Sequence, residues 1–267
     1  MKTLKLVAAI ATLATSMSVS ANTIDLFTDP VGETRVEVKT SAGAGATDFT
    51  QNSTAYASIF GGYRSLEVEL ISSTGAPSNS VSASVFEGSL FFNNDTGVTG
   101  RGAIQWDGND NSSNLNTSLL DIDLTTLGNA FSFDVLSADH GFNFSLAIHD
   151  TTGGSVIFDL VSNAGAHNTT IEFSSFTEAF TNGLCIAPDG NFPIVTGGGT
   201  INNVDCTGTS LDLEHVAALE VVLNTGAGTV EVDLSIGPVT TVPEPSSLAL
   251  IGLGLIASGV ASKRKSK

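Results

Sequence analysis

The 267 residues include 27 acidic and 10 basic side chains, a formal net charge of −17 at pH 7, with only two cysteines. A surface of that sign repels nucleic acid and anionic lipid, which argues against both as partners. It keeps such a chain soluble and attracts divalent cations.

Lys2 and Lys5 precede an apolar run from Leu6 to Leu13, and Val19-Ser20-Ala21 supplies small residues for a signal peptidase. Residues 1–21 therefore read as a signal peptide cleaved after Ala21, leaving a mature chain that begins near Asn22. Between residues 22 and 242 the basic side chains are Arg35, Lys39, Arg64 and Arg101, against 26 acids, so that part carries 26 minus 4, or 22, net negative charges.

Residues 22–238 read as one acidic domain with period-two alternation almost throughout. Val36 and Val38 alternate with Arg35, Glu37 and Lys39, and Leu66, Val68 and Leu70 with Glu67 and Glu69. Gly102 to Trp106 reads as a strand, and so does Leu120-Ile122-Leu124 against Asp121 and Asp123. Phe131-Phe133-Val135, Phe142-Phe144-Leu146-Ile148, Val156-Phe158-Leu160 and the short Ile171-Phe173 follow. Leu219-Val221-Leu223 and Val230-Val232-Leu234-Ile236 close the series, and no long helical pattern precedes residue 239.

Turn residues separate these runs, among them Asp29-Pro30, Gly61-Gly62, Asn93-Asn94-Asp95, Asp107-Gly108 and Gly153-Gly154. The fold class that results is all-β, an antiparallel sandwich of jelly-roll type. Most of the 15 Phe residues have inward parity and read as core. Asn182 to Ser210 breaks the pattern with a glycine triplet, two prolines and both cysteines, and reads as a long surface loop. In an exported chain Cys185 and Cys206 are expected to form a disulfide, stabilising the loop of about 20 residues by roughly 3 kcal/mol.

The best local constellation for chemistry is Trp106-Asp107-Gly108-Asn109-Asp110-Asn111. Asp107, Asn109 and Asn111 have the opening spacing of a calcium loop, but Ser112 and Ser118 stand where Gly and Glu complete one. Ca2+ is the one candidate cofactor, with a solvated Asn-rich turn as the alternative. Trp106, the only tryptophan, could stack on a sugar ring beside these groups or pack in the core. His140, His149, His167 and His215 lack a metal-binding spacing, and no Gly-x-Ser-x-Gly elbow occurs. Acid pairs such as Asp121 with Asp123 and Glu67 with Glu69 are what any half-buried acidic strand gives, so no catalytic residue is assigned.

Residues 239–267 have three parts. Val242-Pro243-Glu244-Pro245-Ser246 is held extended by its prolines. Ser246 to Ser262 has no charge in 17 residues, about 25 Å as a helix, a short transmembrane segment. Lys263, Arg264, Lys265 and Lys267 form a basic stop that stays cytoplasmic and leaves the body outside.

This order resembles the PEP-CTERM sorting signal of Gram-negative bacteria. The resemblance implies processing near the motif by an exosortase, a setting in the envelope or outside the cell, and association with exopolysaccharide and biofilm. The body, through Gly61 to Val68 and Gly128 to Val135, more loosely resembles the exported β-sandwich domains that precede such tails. A non-enzymatic exported protein, touching membrane only through the C-terminal helix before processing, is the first expectation. A carbohydrate-binding module, calcium-assisted through Trp106, Asp107, Asn109 and Asn111, is the alternative, and an extracellular glycan hydrolase ranks last.

Overall fold

The computed structural model describes residues 22–185, 195–226 and 228–243. The expected signal peptide, transmembrane segment and basic stop lie outside the described residues. Among those described, no helix is long and apolar enough to cross a membrane.

Apolar alternation builds fifteen strands among the described residues. In chain order they are β1 (Thr23–Asp25), β2 (Thr34–Lys39), β3 (Thr47–Gln51), β4 (Ser65–Ser73), β5 (Ser80–Phe86), β6 (Ser89–Asn94), β7 (Val98–Trp106), β8 (Ala130–Ala138), β9 (Phe142–Asp150), β10 (Ser155–Ser162), β11 (His167–Glu172), β12 (Val195–Gly197), β13 (Gly199–Thr207), β14 (Val216–Leu223) and β15 (Asp233–Val242). The first sheet runs β12, β11, β8, β15, β6, β5, β2, with β1 also paired to β15. The second runs β13, β10, β9, β14, β7, β4, β3. Every pairing is antiparallel. The chain crosses repeatedly from one sheet to the other, the connectivity of a jelly-roll sandwich.

Inward residues of the two sheets meet in one core. Leu66, Val68 and Leu70 of β4, Leu146 and Ile148 of β9, and Val156, Phe158 and Leu160 of β10 are buried against Val36, Phe92 and Phe131 of the first sheet. Phe131, Phe158 and Phe176 cluster, with the Phe158 and Phe176 ring centroids 4.3 Å apart. Burying such side chains contributes about 1.5–3 kcal/mol each, the main term that orders the sandwich.

Four segments differ from the alternation. Phe173 does not extend a strand but opens α1 (Phe173–Thr181). Phe173, Phe176 and Ala179 are buried at intervals of three, the helical spacing of a chain whose period changes after Ile171. Leu120-Ile122-Leu124 is not a strand either. Ile122 makes a single bridge to Val216, and the Asp123 carboxylate accepts the Thr125 N–H, turning the chain into a 3-10 turn. Asn182 to Ser210 is not all loop, because it contains β12 and the nine-residue edge strand β13. The alternation is hidden by a bulge: Asn203 faces Asp159 while Ile201 faces Leu160, so the buried Ile201 and Val204 stand three apart. The final strand starts at Asp233 rather than Val230 and continues through Val242, so the sheet runs into the motif itself.

Cys185 and Cys206 form a disulfide that ties the end of α1 to β13, across a sequence separation of 21.

Candidate functional site

Strand β7 lies inside the second sheet, between β4 and β14, and its two sides meet different surroundings. Ile104 and Trp106 point into the core. Trp106 is 1% exposed, and its indole N–H donates to Asp25 Oδ2 at 2.9 Å. Of the two readings open for Trp106, sugar stacking is overturned and core packing holds: the ring is held by a buried carboxylate and closed to solvent. Asp25 also binds Arg64 through both carboxylate oxygens at 2.8 Å and accepts the Phe27 N–H. Arg64 in turn donates to the Asp29 carbonyl and lies over the Phe27 ring.

The opposite side of the strand carries Gln105 and, just beyond its end, Asp107. Register sets Gln105 between Ser65 and Glu220, and Glu220 beside Ala147. The next row on this outer face is Glu67, Ala103, Val222, Ser145 and Asp159. Small residues at Ala103, Ser145 and Ala147 keep the middle of the face low.

The 107–118 loop is fastened over one end of this face. Gln51 Nε2 donates to the Gly108 carbonyl, and the Asn111 N–H donates to Gln51 Oε1, both at 2.9 Å. The Asn116 N–H reaches Asp107 Oδ2 at 2.8 Å, and Gln105 Nε2 reaches Glu220 Oε1 at 2.8 Å and the Ser113 carbonyl at 3.3 Å. Asp107 turns under the loop and is fully buried, whereas Asn109 and Asn111 stand in solvent. Asn111 is bound to its neighbours through its backbone, at a φ of 52°.

Three buried side-chain atoms on this outer face lack hydrogen-bond partners: Gln105 Oε1, Asp107 Oδ1 and His149 Nε2. Such atoms are rare in folded proteins and each needs a physical reason. Burial pushes the Asp107 carboxyl up to about 6, against the Asn116 hydrogen bond and with the Asp110 and Glu220 charges adding to the rise. Burial likewise raises Glu220, opposed by the Gln105 hydrogen bond, and raises Glu67, opposed by Arg101. Burial lowers His149. This side is acidic, partly desolvated and incompletely satisfied.

The remaining candidates are engaged elsewhere. Asp121 pairs with His215 at 2.7 Å, raising the His215 pKa through that hydrogen bond, and Asp123 caps its own turn. Glu69 pairs with Arg101. His140 lies against Asp139, and His167 bonds Ser162. Among the described residues, no three His, Cys, Asp or Glu side chains form a metal-binding group.

The outer face of the first sheet is of another kind. Arg35, Ser84, Phe91, Ser235 and Ser137 form one row across it. Phe86, diagonal to Phe91, is paired with Ser89. Phe91 and Phe86 are 42% and 41% exposed, and Leu136 is exposed nearby. These aromatics are absent from the candidates drawn from sequence, where Trp106 was the one aromatic named. Parity is the available signal, because Val85, Leu90 and Phe92 point inward and leave 86 and 91 outside.

Of the expected sorting residues, Val242 and Pro243 lie in the described part, while Glu244, Pro245 and Ser246, with Lys263, Arg264, Lys265 and Lys267, lie outside it. Thr241 is buried, and its N–H donates to the Asn22 carbonyl at 2.8 Å. Val242 pairs with Ala130 and accepts the Asn129 N–H. Residues 241–265 match the family described as the PEP-CTERM protein-sorting motif. The chain carries a PEP-CTERM sorting signal. The signal marks an exported protein with exosortase as its processing partner. Its first two residues belong to a folded strand, so the sandwich meets the sorting signal without a linker before Pro243.

Among curated proteins none matches the chain. Among solved structures it is similar to an exo-beta-agarase, at 14% identity and a TM-score of 0.41, over 85% of this chain and 25% of the agarase. It is also similar to a family 11 carbohydrate-binding module from Clostridium thermocellum in complex with a beta-1,3-1,4-mixed-linked tetrasaccharide, at 12% identity and a TM-score of 0.37, over 85% of this chain and 98% of the module. The chain spans about a quarter of the agarase's length.

Proposed function

We propose that this exported sandwich is a non-catalytic envelope or matrix protein that holds exopolysaccharide on the outer face of its first sheet. The sorting signal supports delivery. The observation that carries the ligand class is the exposed pair Phe86 and Phe91 in a field of serines. A sugar ring offers an apolar face of C–H groups and an edge of hydroxyls. An exposed aromatic ring between Ser84 and Ser235, with Arg35 at the end of the row, offers the complement of both. A body with 22 net negative charges favours a neutral polysaccharide over a polyanion.

Affinity electrophoresis of the protein through exopolysaccharide from its own cells tests this. Phe91→Ser is expected to weaken retention about tenfold, the loss of one well-placed aromatic contact. Retention unchanged in both Phe91→Ser and Phe86→Ser would remove this face from the proposal. Deletion of residues 243–267 is expected to change the fraction in which the protein is recovered, and unchanged fractionation would remove the sorting part.

A further inference from the structure

We propose that the fold times its own C-terminal processing: once the end of β15 is clamped in the first sheet, exosortase is denied its substrate, and cleavage takes place while that end is open. This inference rests on the sorting signal and is independent of the polysaccharide face.

The two ends of the body meet in the first sheet. Strand β15 pairs with β6 as far as Ile236, and beyond it with β1, through Val239 with Asp25 and Thr240 with Thr23. The Thr241 N–H donates to the Asn22 carbonyl at 2.8 Å. The Thr241 hydroxyl and the Asn22 side-chain amide both donate to the Leu127 carbonyl, at 2.6 and 2.7 Å. On the opposite side Val242 is paired with Ala130, and its carbonyl accepts the Asn129 N–H at 2.9 Å. Ile24, Val239 and Thr241 are buried, so opening this end exposes apolar surface as well as breaking ladder bonds. Gly128 shows how closely the clamp fits. A Cβ there would stand 2.6 Å from the Val242 carbonyl oxygen and 2.9 Å from the Thr241 side chain.

This arrangement withholds the chain from a protease in two ways. An enzyme that reads a peptide as an extended strand binds its main-chain groups, and from Val239 to Val242 the strand is already flanked by β8 on one side and by residues 22–25 on the other. Pro243 has no N–H and ends the ladder, so the free part of the motif starts there. Only Pro243, Glu244 and Pro245 then separate the strand from Ser246, where the charge-free stretch begins. Such a link reaches at most about 10 Å, of which a headgroup layer takes about 5–7 Å. A closed sandwich therefore stands against the membrane surface, over its own motif. For a bond that is cut only when the chain opens, the rate follows the population of the open form.

The test is pulse-chase labelling of the full chain in its own cells, with cut and uncut forms separated by intact mass. A flexible Gly-Ser linker of about six residues between Val242 and Pro243 frees the motif while the sandwich stays closed, and is expected to speed loss of the Lys267 end about tenfold. Gly128→Ala alters neither the motif nor the signal peptide. It is expected to loosen the clamp and speed the cut severalfold. A linker variant cut at the unaltered rate, or Gly128→Ala cut no faster than the unaltered chain, would overturn the proposal while leaving the sorting signal in place. A chain that keeps Lys267 in every variant would remove the sorting reading and this inference together.

Discussion

The two sides of β7 each meet a buried carboxylate beside Trp106, Asp25 across the core and Asp107 next along the chain, and supply them with donors unequally. On the inner side, Asp25 accepts from Arg64 twice, from the Trp106 indole and from the Phe27 backbone, so its burial is matched by donors. On the outer side, Asp107 accepts the Asn116 N–H and is left with one oxygen without a protein partner. Burial is complete in both places. A buried charge whose donors all come from the chain is held in place by it, whereas one with a bare oxygen carries a desolvation cost that the chain does not offset.

The largest effect should come from breaking the closed side. Arg64→Met keeps much of the side-chain volume but strands Asp25 without its cation, and is expected to destabilise the sandwich by about 3–5 kcal/mol in urea unfolding at pH 7. Adding Asp25→Asn should restore a large part of that loss. An effect below about 1 kcal/mol would mean that Asp25 is neutral or hydrated, and the contrast between the sides would fail.

The open side predicts a pH dependence of its own. With its pKa near 6 in the folded protein and an ordinary value of 3.8, Asp107 holds its proton more tightly when folded. Between about pH 4 and 6 the native state therefore binds more protons than the unfolded state, and stability contributed by this group falls as pH rises. At pH 7, Asp107→Asn is expected to be about 1–2 kcal/mol more stable than the unaltered protein, with the difference vanishing near pH 4. Parallel pH profiles for the two proteins would show that Asp107 is not a strained charge.

Which parts of this were legible beforehand follows from the range of the interactions involved. Strict alternation in Phe142 to Ile148 or Leu66 to Leu70 is local, and it was enough for a two-sheet sandwich and for most of the core. The sorting signal is linear and needed no fold. The misread segments are those where one residue changes the local geometry. The Asp123 side chain converts an alternating run into a turn, a bulge opposite Asp159 disguises β13, and α1 begins directly where β11 ends. The Asn-rich turn drew notice to Asp107, which the fold buries. It could not reveal that Trp106 faces Asp25, 81 residues away, or that Gln105 meets Glu220, 115 residues away. Exposure of Phe91 was hidden by its position beside the inward Phe92, since adjacent aromatics obscure parity.

The smallest expected effect isolates what an unsatisfied buried atom costs when no charge surrounds it. Thr169, on β11, is buried with a hydroxyl that has no partner. It borders a small cavity of about 20 Å³ lined otherwise by Phe133, Val135, Phe142, Phe144, Val221, Leu223 and Ile236. That space is enough for about one water, but a water there would find a single polar neighbour and is not favoured. Thr169→Val removes the hydroxyl at nearly constant shape and is expected to stabilise the sandwich by about 1 kcal/mol in urea unfolding, with no dependence on pH between about 4 and 7. A gain that changed with pH would mean that a titrating group reaches this wall, and the distinction between a charged and an uncharged orphan atom would fail. If the variant lost stability, Thr169 would have a partner in solution, and an oxygen unpaired within the chain would be too weak a sign of strain.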